Sequence, residues 1–278
     1  MRSSARLLAA CSFLLLFLPA SALAQTPYLV DDINETADVA GSTPHSFVQV
    51  GTQIFFVALA RSEGYQLWKT DDTGAGTAAV TSDYFSSISS LTSSNGKLFF
   101  MGGNATHYGL WVSDGTASGT QMLKAIDNIS LLSSSGPSTP VDVNGTLFFT
   151  ADNGAGGRSL WKSDGTPSGT VIVKSVLNDA RSVPVWLTPV NGTLFFVTGD
   201  SAGSLPVADF GAGWNLWKSD GTEAGTASVK YIYPGPANAS PSNLLNVNGT
   251  LFFTGYDGAI NGGIALWKSD GTEAGTCR

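Results

Sequence analysis

An eleven-residue motif, Leu-Trp-Lys-Ser-Asp-Gly-Thr-Glu-Ala-Gly-Thr at residues 216–226, occurs in five closely similar copies along the 278-residue chain. The copies are spaced by 43, 50, 56 and 50 residues, counted between Trp68, Trp111, Trp161, Trp217 and Trp267. A second signature, Asn-Gly-Thr-Leu-Phe-Phe or a variant of it, precedes each copy. Self-similarity at a period of about 50 residues is typical of a propeller or a solenoid, in which every repeat builds the same unit.

Each repeat contains four short extended runs, which in the fourth repeat are residues 183–190, 193–198, 215–218 and 226–231. Asn191-Gly192 is the pair preferred in a two-residue type I′ hairpin, and Asp-Gly-Thr marks a second tight turn. Helical periodicity is absent after the N-terminal residues. We therefore predict an all-β fold, a β-propeller of about five four-stranded blades.

The apolar residues of the strands predict sheets that are buried on both faces. Alternation sends Phe148 to one face and both Leu147 and Phe149 to the other, and it separates Leu160 from Trp161 in the same way. A strand that is apolar on both faces is typical of a sheet packed between two others. We expect each blade to bury its aromatic residues against its two neighbours.

The recurrent aspartates of the motif are Asp71, Asp114, Asp164, Asp220 and Asp270. An Asp-Gly turn needs a side chain that accepts bonds from turn amides and a glycine that tolerates a positive φ, so we predict a structural role for them. The alternate carboxylates of a calcium loop are absent from the motif. In the first repeat Asp72 replaces the glycine, which predicts a strained or altered turn there.

Residues 1–24 have the pattern of a secretory signal peptide. Arg2 and Arg6 precede an apolar run at residues 7–18 that is too short to span a membrane, and Ala22-Leu23-Ala24 matches a cleavage site. We expect a secreted or extracytoplasmic protein in which residues 25–278 form one domain. The repeat cores are predicted at about residues 44–80, 88–124, 138–174, 183–230 and 241–276.

Charge and composition restrict the partners of the predicted exported chain. Without the signal peptide the chain keeps 12 of its 14 Lys and Arg residues and has 21 acidic ones. This excess of negative charge disfavours binding to nucleic acid. Cys277 is then the only cysteine, so no intrachain disulfide is expected. Only His45 and His107 are histidines, and we predict no metal, no cofactor and no membrane span.

Residues 27–33 raise a hypothesis about how the ring closes. They resemble a fourth strand such as residues 171–176, whereas the fifth repeat stops where its own fourth strand begins. Residues 27–33 could supply that outer strand and close a five-bladed ring. The alternative is a longer array, with an open edge that is prone to pair with other chains.

The combined Asn-Gly-Thr-Leu-Phe-Phe and Leu-Trp-Lys-Ser-Asp-Gly-Thr-x-Ala-Gly-Thr signatures resemble the ELWxxDGT repeat family of exported bacterial proteins, also labelled hyalin-like. The likeness covers nearly all of the chain after residue 24. The leading glutamate of the family is replaced by Gln66, Gly109, Ser159, Asn215 and Ala265. The resemblance implies a secreted, propeller-like repeat protein and supplies no catalytic residues.

Variable loops between the second and third strands are the predicted binding surface. Both tight turns lie on one rim of a propeller, so these loops lie on the other, where function usually resides. Aromatic rings beside carboxylates can stack on sugars and hydrogen-bond them. The candidate ligand-binding residues are Tyr65, Tyr108, Asp152, Asp209, Trp214, Tyr256 and Asp257.

The favoured function is a binding or interaction scaffold for a glycan or protein ligand. One alternative is a structural repeat protein of an envelope or matrix. Another is a propeller glycosidase, for which Asp152, Asp209 and Asp257 are candidates if their carboxylates lie about 5–10 Å apart. Because no Gly-x-Ser-x-Gly nucleophile motif or histidine cluster is present, we predict that the protein is not an enzyme.

Overall fold

The computed structural model describes residues 41–60, 64–103, 107–126, 139–152, 158–174, 183–199, 214–230, 232, 241–256 and 263–278. These residues form nineteen strands in five antiparallel sheets, which we number as blades 1 to 5 in chain order. No helix occurs among them. The predicted all-β fold with about five blades is therefore confirmed.

Blade 1 contains β1 (His45–Val50), β2 (Gln53–Leu59), β3 (Tyr65–Thr70) and β4 (Ala78–Ala79). Blade 2 contains β5 (Ser87–Ser94), β6 (Lys97–Gly103), β7 (Tyr108–Ser113) and β8 (Gln121–Ala125). Blade 3 contains β9 (Val141–Val143), β10 (Thr146–Asp152), β11 (Arg158–Ser163) and β12 (Val171–Lys174). Blade 4 contains β13 (Val185–Val190), β14 (Thr193–Gly199), β15 (Trp214–Ser219) and β16 (Ala227–Lys230). Blade 5 contains β17 (Ser242–Val247), β18 (Thr250–Tyr256) and β19 (Ile264–Ser269).

Strands lie side by side in chain order within every blade, and the first strands of successive blades contact one another along the array. In blade 5, a single bridge between Lys268 and Cys277 stands where the other blades have a fourth strand. Two-residue turns join the first and second strands. Asn191 and Gly192 both have positive φ, at 48° and 76°, as the predicted type I′ hairpin requires.

The two faces of each blade pack against different neighbours. We call the face with the motif tryptophan the leading face and the face with the preceding leucine the trailing face. Phe148 and Leu160 of blade 3 pack against blade 4, whereas Leu147, Phe149 and Trp161 pack against blade 2. The predicted alternation is therefore correct, and the core consists of junctions between one trailing face and the next leading face.

A glycine of the motif turn packs against the preceding blade at each described junction. Gly221 has φ +88°, and a Cβ built on it would lie 3.1 Å from Cζ of Phe148 in the preceding blade. Gly115, Gly165 and Gly271 meet a phenylalanine of the preceding blade in the same way, at 3.0–3.3 Å. The turn thus needs glycine both for its backbone conformation and for its close approach to an aromatic ring.

In blade 1, Asp72 occupies the position of this glycine and is exposed. Its φ is 75°, in the left-handed region that a residue with a Cβ adopts only with strain. The strained turn expected from the sequence is present. The exposure of Asp72 follows from its place on the leading face of the first blade, where no described blade precedes it.

Ring closure is not seen among the described residues. Leu266 on the trailing face of blade 5 is 63% exposed, whereas its equivalents Leu67, Leu110, Leu160 and Leu216 are fully buried. Residues 27–33, which carry the closure hypothesis, lie outside the described residues, as does the predicted signal peptide at residues 1–24. The described part of the chain contains no helix long and apolar enough to cross a membrane.

Replacement of Gly221 by alanine tests the role of the junction glycine. We expect Gly221→Ala to lower the free energy of unfolding by about 3 kcal/mol, because backbone strain adds to overpacking against Phe148. The matched control is Gly96→Ala, since Gly96 has φ +71° but nothing within 4 Å of its added Cβ. That control is expected to cost about 1 kcal/mol. Equal losses in denaturant titrations would contradict a packing role for Gly221.

Candidate functional site

The motif turn uses the aspartate carboxylate as an internal acceptor. In blade 4, Oδ1 of Asp220 accepts bonds from the backbone N–H of Thr222 at 2.8 Å and from its hydroxyl at 2.7 Å. Oγ1 of Thr222 in turn accepts the N–H of Gly225 at 2.9 Å. A Cβ on Gly225 would lie 2.1 Å from Oδ1 of Asp220, so this second glycine makes room for the carboxylate.

The hydroxyl groups around the turn complete the same network. Oγ of Ser219 accepts the N–H of Gly221 at 3.0 Å and lies 2.7 Å from Oγ1 of Thr226. The Thr226 hydroxyl donates to the carbonyl of Thr222 at 2.6 Å. Ser219 and Thr226 are buried, and their hydrogen bonds offset the cost of removing them from water. Blades 2, 3 and 5 repeat this pattern.

Hydrogen bonding also lowers the pKa of the motif aspartates. The hydroxyl of Thr222 is the main cause for Asp220, and the Thr222 backbone N–H adds to it. Both groups stabilise the ionised carboxylate, which holds its pKa below the usual 3.8. The same direction and main cause hold for Asp71, Asp114, Asp164 and Asp270.

At three of the four described junctions a lysine links neighbouring blades across the turns. Nζ of Lys69 donates to the carbonyl of Gly115 at 2.7 Å, and Lys162 and Lys218 donate in the same way to Gly221 and Gly271 at 2.8 Å. The lysine therefore bonds to the glycine that packs on the preceding phenylalanine. The same turn glycine thus makes both the hydrogen bond and the apolar contact to the preceding blade.

The junction of blades 2 and 3 has its lysine at a different position. Val112 replaces the motif lysine, and Nζ of Lys97 on the neighbouring strand lies 3.2 Å from the Cβ position of Gly165. We did not predict this cross-blade role from the sequence. The sequence did contain a signal for it. Lysine follows the motif tryptophan in four of the five repeats, and the repeat that lacks it has Lys97 where the other repeats have Gln or Thr.

A second row of lysines lies on the fourth strands. Nζ of Lys174 donates to the carbonyl of Thr226 at 2.9 Å and lies 6.0 Å from the ring centre of Trp217. Nζ of Lys230 donates to the carbonyl of Thr276 at 2.8 Å. These cations thus link the outer strand of one blade to the turn and tryptophan of the next.

Both kinds of tight turn meet on one rim, which we call the turn rim. A cleft of about 100 Å³ between blades 4 and 5 is lined by Asn191 and Gly249 from the first kind of turn and by Asp270 and Gly271 from the second. Lys218 also lines it, but its ammonium group already donates to Gly271. The predicted arrangement of turns on one rim is therefore confirmed.

The opposite end of the blades, where the second and third strands are joined, is the loop rim. Tyr65, Tyr108 and Trp214 occupy the same register position there, as the first residue of the third strand in blades 1, 2 and 4. The strands extend further than predicted because pairing continues to Gly103 with Tyr108 and to Gly199 with Trp214. These aromatic residues belong to strand ends rather than to loops.

The three rings are half-buried, each at a different blade junction. Tyr65, Tyr108 and Trp214 pack beside separate apolar clusters. The ring of Tyr65 also meets His45 edge-on at 5.9 Å, and Oη of Tyr108 lies 3.4 Å from Oγ of Ser89. Each ring therefore has a structural role at its junction and a remaining surface at the rim.

The other candidates lie at the ends of second strands or outside the described residues. Asp152 ends β10 opposite Arg158, an opposite-charge pair that favours this strand end. Tyr256 ends β18 opposite Ile264 and is half-buried. Asp209 and Asp257 fall outside the described residues. Convergence of Asp152, Asp209 and Asp257, which the glycosidase alternative requires, remains a prediction.

Metal ligands do not converge in the described part of the chain. No three His, Cys, Asp or Glu residues within the described ranges lie close enough together to hold a metal ion. The motif aspartates belong to separate turns, and each accepts bonds from its own threonine.

Comparison with solved structures supports the fold. The chain is 13% identical to puromycin hydrolase over 87% of its length, with a TM-score of 0.52, and spans 39% of that protein. A puromycin hydrolase S511A mutant complexed with PGG gives the same TM-score and identity, over 84% of this chain and 37% of that one. A putative TolB from Agrobacterium tumefaciens is 14% identical with a TM-score of 0.35, over 62% of this chain and 59% of its own.

Puromycin hydrolase is a β-propeller protein. No protein-family model and no curated protein matches the chain. At 13% identity, the likeness to puromycin hydrolase concerns the fold alone. The sheets, their order and this likeness together make the chain a β-propeller protein.

Removal of a junction lysine tests the cross-blade bond. We expect Lys162→Met to lower the free energy of unfolding by about 1.5 kcal/mol, because it leaves the carbonyl of Gly221 without its charged donor. The matched control is Lys268→Met, since Lys268 is exposed on the trailing face of blade 5. Denaturant titration at low protein concentration should show little loss in the control. A similar loss in both variants would contradict the bond.

The pH dependence of stability tests the motif aspartates. Because the pKa of these aspartates is lowered on folding, the folded state binds protons less readily than the unfolded state. The ionised aspartates therefore stabilise the fold above pH 3.8, and this stabilisation is lost as the pH falls through their lower pKa in the folded state. The melting temperature of the variant Asp164→Asn/Asp220→Asn/Asp270→Asn should therefore decrease less between pH 6 and pH 3 than that of the unmodified chain.

The matched control for that variant is Asp83→Asn/Glu223→Gln/Glu273→Gln, which removes the same charge from exposed positions whose side chains do not accept the turn bonds. It should follow the acid dependence of the unmodified chain. Parallel melting curves for all three proteins would refute a stabilising role for the ionised turn aspartates.

Proposed function

We propose that this β-propeller is an exported, non-enzymatic binding scaffold whose ligand surface is the loop rim. The observation that carries the proposal is the recurrence of Tyr65, Tyr108 and Trp214 at one register position on three blades. Aromatic rings repeated on a rigid scaffold offer a row of flat surfaces for one extended ligand.

The chemistry of the turn rim supports the choice of the opposite rim. There the carboxylate of Asp220 accepts two bonds from Thr222, and the ammonium of Lys218 is bonded to the next blade. A ligand on the turn rim would compete with the bonds that hold the blades together. On the loop rim it would meet rings whose remaining surface is not needed for the junctions.

A glycan is the ligand class that this arrangement suits best. Aromatic rings stack on the apolar faces of sugars, while neighbouring carboxylates accept bonds from sugar hydroxyls. Asp152 and Tyr256 lie at the same rim as the three rings, because second strands end where third strands begin. A protein ligand would use the same rings as anchors.

Glycan binding by the purified chain tests the proposal. We expect binding to a subset of glycans on an array, weakened roughly thirtyfold by Trp214→Leu, since loss of a stacking ring removes about 2 kcal/mol. Leucine keeps much of the apolar packing at the junction of blades 4 and 5. Melting temperatures measured alongside would verify that the variant is folded.

The matched control is Glu223→Ala on the turn rim, where the side chain is exposed. It should leave glycan affinity unchanged. Absence of binding to any glycan would remove the glycan as ligand, and equal weakening by Glu223→Ala would move the ligand surface away from the loop rim.

A further inference from the structure

We propose that blade 4 carries the main sugar subsite of this scaffold, formed by Trp186 and Trp214 where blade 4 meets blade 5. The inference rests on the proposed binding of a glycan at the loop rim. It goes further by adding Trp186, which no sequence motif marks, and by assigning the strongest contact of the glycan to a pair of rings on a single blade.

The two tryptophans outside the repeated motif lie in the same blade. The chain has seven tryptophans, of which five belong to the motif. Trp186 is the second residue of β13 and Trp214 is the first residue of β15, so both stand at the loop-rim ends of their strands. Both are half-buried and pack beside the same apolar cluster between blades 4 and 5. Their rings therefore lie on the same face of blade 4.

The spacing of the two strands suits a sugar ligand. β13 and β15 pair with opposite edges of β14, so about 10 Å separates their backbones. The β14 residue paired with Trp214 is Gly199, which has no side chain to place between the two indoles. Two rings at this spacing can stack on the apolar faces of one sugar unit or of two adjoining units.

Blade 5 presents small side chains to this part of blade 4. Phe253 and Trp267 of blade 5 pack in the same junction. Gly255 and Ala265 point to the same face as these two residues, because side chains alternate along a strand, and they pair with each other nearer the loop rim. Small residues at these positions allow a ligand to approach the two tryptophans of blade 4 from the loop rim.

The backbone of Trp186 is strained. The first strands of blades 1, 2, 4 and 5 share a β-bulge at the same position. The bulge residue with positive φ is Ser46, Ser90, Trp186 or Asn243, and its φ lies between 55° and 58°. Short polar residues, asparagine above all, tolerate this region, whereas a bulky side chain there is a rare outlier. Blade 4 therefore keeps a tryptophan here at the expense of stability.

Packing alone does not explain the tryptophan at this bulge. The junction of blades 1 and 2 and that of blades 2 and 3 form with Ser46 and Ser90 at this position, so a blade junction does not need an aromatic ring there. Bulges occur often beside binding sites, where they redirect a side chain. We therefore assign the ring of Trp186 to the ligand.

A polar group stands at the equivalent bulge of the next blade. Asn243 holds this position in blade 5, and the first strands of blades 4 and 5 contact each other. Its side chain is exposed, and its Nδ2 donates to Oγ1 of Thr254 at 3.0 Å. The amide carbonyl can accept a bond from a sugar hydroxyl while the rings contact the apolar face of the sugar.

Trp186→Asn tests the subsite with the glycan that the unmodified chain binds most tightly on the array. We expect the affinity to fall about thirtyfold, whereas Trp186→Phe should keep it within about fivefold because a flat ring remains. The melting temperature of Trp186→Asn should stay within about 3 °C of the unmodified chain, since relief of backbone strain offsets lost packing. The matched control is Phe47→Asn, which removes an exposed ring beside the bulge of blade 1 and should leave the affinity unchanged.

Fluorine NMR on the chain labelled with fluorotryptophan tests the same contact without relying on the asparagine variant. The spectrum should contain one signal for each of the seven tryptophans. The signals missing from Trp186→Phe and from Trp214→Phe identify the two residues outside the motif. Addition of the glycan should shift these two signals and leave the five motif signals in place. A shift of the Trp214 signal without that of Trp186 would overturn the pair.

Failure of the subsite can be told apart from failure of the proposed function. If the unmodified chain binds no glycan, the proposed function fails and the subsite fails with it. If Trp186→Asn binds the glycan as tightly as the unmodified chain does, only the subsite is overturned. A fall of about 10 °C in the melting temperature of Trp186→Asn would also overturn it, because that is the size expected for loss of a core side chain.

Discussion

The contact between a phenylalanine ring of one blade and the turn glycine of the next is the interaction on which this structure depends. Phe148 packs on Gly221, and Lys162 beside it donates to the carbonyl of the same glycine. Because blades contact only their neighbours, the stability of the array is close to a sum of such junctions. A defect at one glycine therefore acts on two blades at once.

This junction explains why the most repeated residues of the chain are those least available for binding. Asp220 accepts bonds from Thr222, Gly225 makes room for the carboxylate, and Lys218 is occupied by the next blade. These residues recur because the turn of each of blades 2 to 5 must pack against the blade before it. Residues with freedom to differ lie at the opposite rim, where Tyr65, Tyr108, Arg158, Trp214 and Ile264 share one position.

The leading face of blade 1 and the trailing face of blade 5 have no described blade packed against them. Asp72 is exposed in a turn where the other blades have a buried glycine, and Leu266 is exposed where the other blades have a buried leucine. Identical motif positions thus acquire different environments through their place in the array. The eleven residues that begin at Leu216 and at Leu266 are identical, but among the described residues only Leu216 has a neighbouring blade over it.

Local patterns in the sequence were enough to predict the strands, the hairpin turns and the face to which each side chain points. These features depend on local conformation, such as the positive φ of Asn191-Gly192 and the alternation of Leu147, Phe148 and Phe149. The cross-blade bonds of Lys162 and Lys218 and the exposure of Leu266 were not predictable in this way, since they depend on how residues about 50 positions apart pack in the folded chain. The structure also placed Tyr65, Tyr108 and Trp214 on strand ends, because pairing extends beyond the point where the sequence pattern fades.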